Sequence, residues 1–203
     1  MDIPVEKHPF TPFLPVNAKV LFLGSFPPKP KRWSMVFYYP NYTNDFWYMI
    51  GLLWFGDKRV FTIPSEKRFN YEKIVEFCKT TGFAMYDTAT EVRRLKDNAS
   101  DKFLEVVTPT DLSALLQSIP ACTCIVTTGQ KATDIIIDTY HCESPVIGEY
   151  VNLSIPVNQE DGAVLTKEFR FYRMPSTSRA YPLALDKKAE AYKKMFVEIG
   201  LLK

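Results

Sequence analysis

Residues 18–23, Ala-Lys-Val-Leu-Phe-Leu, form an almost wholly apolar run, too short for a stable helix and with no polar face to turn toward water. Such a run reads as a strand covered on both sides, the situation of strands in parallel sheets flanked by helices. The chain then leaves the sheet at Gly24 and runs as GSFPPKPKRWSMVFYYPNYTNDFW over residues 24–47. This stretch has neither a period of 2 nor one of 3.6 over about 20 residues, beyond ordinary loop length, so it is either functional or disordered. Seven of residues 33–47 are aromatic, which argues against disorder. A glycine at the carboxyl end of a buried strand, followed by a long ordered loop, is where open α/β sheets place their ligands.

The rest of the chain alternates strand and helix signals. Residues 45–55 are apolar nearly all round and predict a buried helix capped by Asn44. Asn70 caps a helix over 71–80 that Gly82 closes. A short strand over 83–86 ends in Asp87-Thr88. Residues 91–100 are charged and read as loop, and Ser100 reads as the cap of a helical turn through 107. A helix over 111–118 stops at Pro120, a β-branched strand covers 122–128, Gly129 turns the chain, and a helix follows over 130–139. Residues 146–155 suggest an extra strand or hairpin, 169–174 the last strand, and 185–199 the last helix, with Gly200 as its cap. The expected class is α/β: a three-layer α/β/α sandwich around a central, mainly parallel sheet. With no repeat, low-complexity tract or linker, one domain is expected over residues 1–203.

A net charge of +2 is too small to imply a nucleic-acid partner by itself. Its distribution matters more, because Lys29, Lys31 and Arg32 sit in the long loop while Arg170, Arg173 and Arg179 gather near the C-terminus. These clusters are either a phosphate-binding face or solvated surface. The first residues show no basic segment followed by an apolar core, and the longest apolar stretch, 46–55, is about half a bilayer span. The expectation is a soluble, cytoplasmic protein with no membrane association. Cys78, Cys122, Cys124 and Cys142 show no CxxC spacing and read as free, mostly buried thiols; no metal site and no cofactor are expected.

Three strand ends stand out: Gly24-Ser25-Phe26-Pro27, Thr128-Gly129-Gln130-Lys131-Ala132, and Met174-Pro175-Ser176-Thr177-Ser178-Arg179-Ala180. In a parallel sheet all three lie on one edge and can form one cleft. Together with Tyr39-Pro40-Asn41-Tyr42-Thr43-Asn44-Asp45-Phe46-Trp47, they resemble the uracil-DNA glycosylase superfamily, particularly its mismatch-specific, thymine and deoxyinosine glycosylase branches. The family pattern is a Gly-x-x-Pro turn after the first strand, an HPRNxFW-like segment some fifteen to twenty residues later, and a PS-rich loop near the C-terminus. The resemblance continues through Gly82-Phe83-Ala84-Met85-Tyr86-Asp87, Asn98-Ala99-Ser100-Asp101 and Asp186-Lys187-Lys188. It covers most of residues 18–196, in order.

The resemblance implies a monofunctional enzyme that hydrolyses the N-glycosidic bond of a flipped-out deaminated base, uracil or hypoxanthine, in damaged or mismatched duplex or in single-stranded DNA. It implies a monomer with no metal or cofactor, associated with the nucleoid if bacterial. Asn44 matches the asparagine of the HPRNxFW-like segment and is the candidate to orient the attacking water, with Asp45 behind it. Gly24, Ser25 and Phe26 offer backbone N–H groups to the departing base. Tyr39, then Tyr38, are candidates to stack on it. Ser176, Thr177, Ser178, Arg173 and Lys131 are expected at DNA phosphates, and Arg179 in the space the extruded base leaves.

Each residue has a plainer alternative. Asn44 caps a helix, Tyr38, Tyr39 and Tyr42 pack a loop, and Arg179 pairs with an acidic neighbour. The chain also departs from the pattern. Phe26-Pro27 stand where several branches carry a water-activating Asn or Asp, and Met174 stands where the uracil-specific branch has histidine. His8 and His141 lie outside every motif and read as incidental. The rivals are a nucleic-acid-binding module that keeps the fold without the chemistry, and an α/β hydrolase of small nucleotides.

Overall fold

The computed structural model of the chain describes residues 3–96, 101–158 and 162–203. A short arm strand β1 (Val5–Lys7) precedes β2 (Val20–Gly24); the long loop then contains one 3-10 turn (Pro30–Arg32) before α1 (Phe46–Phe55). A small hairpin, β3 (Thr62–Ile63) and β4 (Arg68–Phe69), leads into α2 (Tyr71–Thr81) and β5 (Phe83–Asp87). Next come β6 (Ala89–Arg94), β7 (Leu104–Pro109), α3 (Leu112–Gln117), β8 (Cys124–Thr127) and α4 (Gln130–Tyr140). The chain ends with β9 (Tyr150–Asn158), β10 (Val164–Arg173) and α5 (Leu185–Glu198).

The central sheet has the order β5-β2-β8-β10-β9, parallel except for the edge strand β9. Val20, Leu21, Phe22 and Leu23 are fully buried, as expected for a strand with a partner on both sides and cover on both faces. Register does the positioning. Gly24 pairs with Asp87, Leu23 with Thr127 and Arg173 with Thr127, so the carboxyl ends of β2, β5, β8 and β10 stop at one level. Backbone bonds from Thr88 to Gly24, Thr128 to Leu23 and Met174 to Thr127 tie those ends together.

The helices follow their local signals. Asn70 accepts from the Lys73 N–H at 3.0 Å and Gly82 closes α2 at φ +79°, a conformation that favours glycine. Replacing Asn70 with Ala should cost about 1 kcal/mol, the scale of a lost N-cap, read from the urea midpoint. At α1 the start lies one residue later than expected. Asp45 occupies the cap position without a side-chain cap bond, while Asn44 Oδ1 accepts from the Phe46 N–H at 2.9 Å. Phe46, Trp47, Met49 and Ile50 of α1 are fully buried, and α1 packs against α5. No helix among the described residues is long and apolar enough to cross a membrane.

Two expectations fail in the middle of the chain. Residues 89–94 form a strand rather than a loop, and β7 follows a single 3-10 turn at Asp101–Phe103 where a helical turn through 107 was expected. The Ser100 cap lies outside the described residues. The reason is pairing: β1, β6 and β7 make a separate antiparallel sheet that buries Ala89, Val92 and Leu104 in a small cluster with Phe26 and Val106 against it. The extra strand lies later than the expected 146–155 and the last strand starts earlier than the expected 169, so that β9 and β10 pair antiparallel along their length.

Candidate active site

At the strand ends lies a hollow of about 160 Å3, lined among others by Gly24, Ser25, Phe26, Tyr38, Tyr39, Asn44, Asp87, Thr128, Ser176 and Thr177. It is smaller than the ~300–1,000 Å3 clefts of drug-sized ligands and suits one ring system. Beside it runs a wider cleft of about 810 Å3 whose lining contains Arg32, Lys102, Lys131, Arg173 and Arg179 against Asp101 and Asp134. The two share Asn41, Asn44, Asp101, Ser176 and Ser178. The three segments singled out in the sequence thus meet along one rim.

The first turn is held from below. Ser25 Oγ donates to Asp101 Oδ1 at 2.7 Å, and Arg94, a nearly buried guanidinium paired with Glu6, donates to the Pro27 carbonyl at 3.1 Å. Neither the Ser25 nor the Phe26 N–H donates to a group among the described residues. Part of Asp101 is open to solvent, yet its carboxyl is shielded enough that desolvation raises its pKa, with the Ser25 hydrogen bond opposing and Asp87 adding.

Asp87, at the end of β5, faces Gly24 so closely that a Cβ on that glycine would overlap Asp87 Oδ1. Asp87 Oδ2 is 2.8 Å from His8 Nε2, and both side chains are almost fully buried. The Phe10 carbonyl, at 2.9 Å, and the Phe10 N–H, at 3.2 Å, reach His8 Nδ1. His8 also packs edge-on against Phe26, with ring centroids 5.2 Å apart. The pairing of β1 with β6 thus carries His8 behind the hollow, against Asp87 and Phe26, which line it. Asp87 Oδ1 accepts no hydrogen bond among the described residues.

Tyr39 has φ +52°, a strained conformation for a bulky residue. Two contacts hold it there: a near-parallel stack on Phe46 at 3.9 Å between ring centroids and a 3.0 Å hydrogen bond between its hydroxyl and Thr128 Oγ1. Burial raises its phenol pKa far above the ordinary value, opposed by the Thr128 bond. Tyr38 is buried, with its hydroxyl on the Thr11 carbonyl at 2.8 Å, and it is among the residues that line the hollow.

Asn44 lines both cavities. One lone pair of Oδ1 is taken by the Phe46 N–H, which leaves a second lone pair and Nδ2. Asp45 lines neither cavity. Its carboxylate takes the ammonium of the fully buried Lys188 at 2.7 Å, and Lys188 Nζ also donates to the Ser178 carbonyl at 2.9 Å. Asp45 N–H donates to the Thr177 carbonyl at 2.9 Å. The residue placed behind Asn44 therefore anchors the 175–181 loop rather than facing the hollow.

On that loop Ser176 Oγ and Ser178 Oγ accept from the Ser178 and Ala180 N–H groups, and Thr177 is buried. Arg179 is 78% exposed and 3.8 Å from Asp45 Oδ1, so the acidic-neighbour alternative describes its resting position. Arg173 is held by the Pro145 carbonyl and Gln130 Oε1. Lys131 lines the wide cleft. Among the described residues no three His, Cys, Asp or Glu side chains converge as metal ligands would.

Asp87 could have been found from the sequence, since it ends a strand just as Gly24 does. Lys188 carried a signal too: with Ala189, Tyr192, Met195 and Phe196 it falls on the buried stripe of α5. Asp101 ends the Asn98-Ala99-Ser100-Asp101 stretch of the resemblance, which implied no role for it, and for His8 no local pattern foretold the placement.

No protein-family model and no curated protein sequence matches the chain. Among solved structures it is similar to the solution NMR structure of a putative uracil DNA glycosylase from Methanosarcina acetivorans, at 19% identity and a TM-score of 0.61, over 97% of this chain and 99% of that one. That likeness is one of fold.

Proposed function

We propose that the protein is a DNA glycosylase that hydrolyses the N-glycosidic bond of a deaminated base, hypoxanthine or uracil, on a single α/β/α-layered domain acting as a monomer, in the manner of the uracil-DNA glycosylase superfamily. The observation that carries the reading is the base-sized hollow at four strand ends, sharing its lip with a cleft rich in Arg and Lys. Extruding a base costs a few kcal/mol and needs both parts, a pocket for the base and a grip on the backbone. Cations in the cleft and hydroxyls of Ser176 and Ser178 supply the grip.

In the hollow, Asp87 Oδ1 accepts from a base N–H, an edge that hypoxanthine and uracil both present. Tyr39 covers the base, and the Ser25 and Phe26 N–H groups meet the charge that develops on it as the C1′–N bond breaks and the electron pair leaves with the base. Water adds to C1′. Asn44 orients it through the free lone pair of Oδ1, and Asp101, whose carboxylate shares the lip, takes its proton. No lysine lines the hollow, so hydrolysis without strand cleavage is the expected course.

The binding-module reading is favoured by one observation, the commitment of Asn44 to the start of α1. One assay separates them. Labelled duplexes carrying uracil, hypoxanthine, xanthine or a G·T mismatch are incubated with the protein and treated with alkali. Abasic sites support the enzyme; salt-sensitive binding without product supports the module; cleavage of free nucleosides alone supports a small-nucleotide hydrolase. Replacing Arg179 with Ala should slow base release from duplex about tenfold and leave single strands unaffected, while an equal loss on both would remove Arg179 from the duplex. Stability should barely change, because exposed pairs are worth ~0–1 kcal/mol.

A further inference from the structure

The turn between α4 and β9 presents an apolar tip to solvent beside charged groups. Val146 is 72% exposed and Ile147 46% exposed, and Ile147 lines the wide cleft that Arg179 also lines. The backbone beneath them is fixed. Gly148 N–H donates to the Arg173 carbonyl at 2.7 Å, Glu149 N–H to the Val146 carbonyl at 2.9 Å, and Arg173 N–H to the Glu149 carbonyl at 3.2 Å. Arg173 also donates from its guanidinium to the Pro145 carbonyl, and Pro145 is buried. Two neighbouring branched aliphatics on a hydrogen-bonded turn, one of them lining a basic cleft, differ from apolar residues scattered singly over a surface.

We propose that Val146 and Ile147 form an apolar lip that inserts against the base stack of duplex DNA beside the extruded nucleotide. The partner follows from the cleft's chemistry. Its cations suit phosphates, and between phosphates a duplex offers apolar base faces, which proteins open with aliphatic wedges. β-branched side chains have few rotamers to lose on insertion, and a turn tied to β10 needs no ordering. The lip and Arg179 would then both meet the duplex within one cleft. The inference rests on the DNA reading of that cleft and not on the chemistry in the hollow.

The test uses the full chain with Val146→Ser and Ile147→Ser combined, titrated with a duplex carrying one hypoxanthine and with the same strand alone over a range of salt. Expected is duplex affinity weaker by about tenfold, the scale of one buried aliphatic side chain, with single-strand affinity and the salt slope unchanged. Lys131→Ala serves as the contrast and should lower the slope by about 1. A 2-aminopurine beside the lesion should brighten with wild type and less with the double variant. Duplex affinity within twofold of wild type, an equal loss on the single strand, or a slope change like that of Lys131→Ala would overturn the lip. Duplex binding by wild type with the expected variant effect but no base release would sink the glycosylase and leave the lip standing. No duplex affinity at all would end both.

Discussion

Replacing Lys188 with methionine should lower folding stability by about 3–5 kcal/mol, the cost of stripping one partner from a buried ion pair. The ammonium is fully buried, 2.7 Å from Asp45 Oδ2 and 2.9 Å from the Ser178 carbonyl. Without it the Asp45 carboxylate keeps, among the described residues, only the Arg179 ion pair, 3.8 Å away and mostly in water. At this chain length the loss corresponds to roughly 6–20 °C in Tm. Because Lys188 joins α5 to the 175–181 loop and to the start of α1, duplex affinity should fall with it. Adding Asp45→Asn to the methionine variant should recover part of the stability, since no uncompensated charge then remains. Arg should not replace Lys, as a planar guanidinium does not fit a site built around a point charge. A methionine variant within 1 kcal/mol of wild type by urea denaturation would mean that the pair does not hold the loop.

Replacing Gly24 with alanine should slow base release about 100-fold. The added Cβ would overlap Asp87 Oδ1, and that carboxylate cannot swing away freely because its other oxygen is on His8. The carboxylate or the first turn must therefore shift. A displacement near 1 Å at reacting groups costs on the order of 10²-fold. Duplex affinity, governed by cations of the wide cleft, should change little, so the loss should fall on the rate of a single turnover. An undiminished rate would show that Asp87 and the Gly24 turn do not hold the base.

Much of this arrangement was legible because parallel sheets obey a simple rule: apolar runs such as 18–23 and 122–128 end at one edge, and whatever follows them meets there. The meeting of Gly24, Thr128 and Ser176 needed no more than that. Asp87 obeys the same rule. Residues 91–94 and 104–107 were misread because β6 and β7 bury only Ala89, Val92 and Leu104 as hydrophobics, too few to make alternation plain. His8 reaches Asp87 through the pairing of a three-residue strand with one some 85 residues later, a contact that leaves no local trace. Asp45 was misplaced for a related reason. Its partner lies on α5, and adjacency to Asn44 in sequence says nothing about which way a side chain at a helix start turns.

The measurement that bears most directly on a strand-end base site is recovery of free base, by chromatography, from hypoxanthine and uracil duplexes in a single turnover with protein in excess. Wild type should release hypoxanthine or uracil as the intact base and leave an uncut abasic strand, and Asn44→Ala should do so about 100-fold more slowly, the scale of a reactant left out of position. Duplexes bound but left intact, or an Asn44→Ala protein as fast as wild type, would contradict a reaction carried out in that hollow.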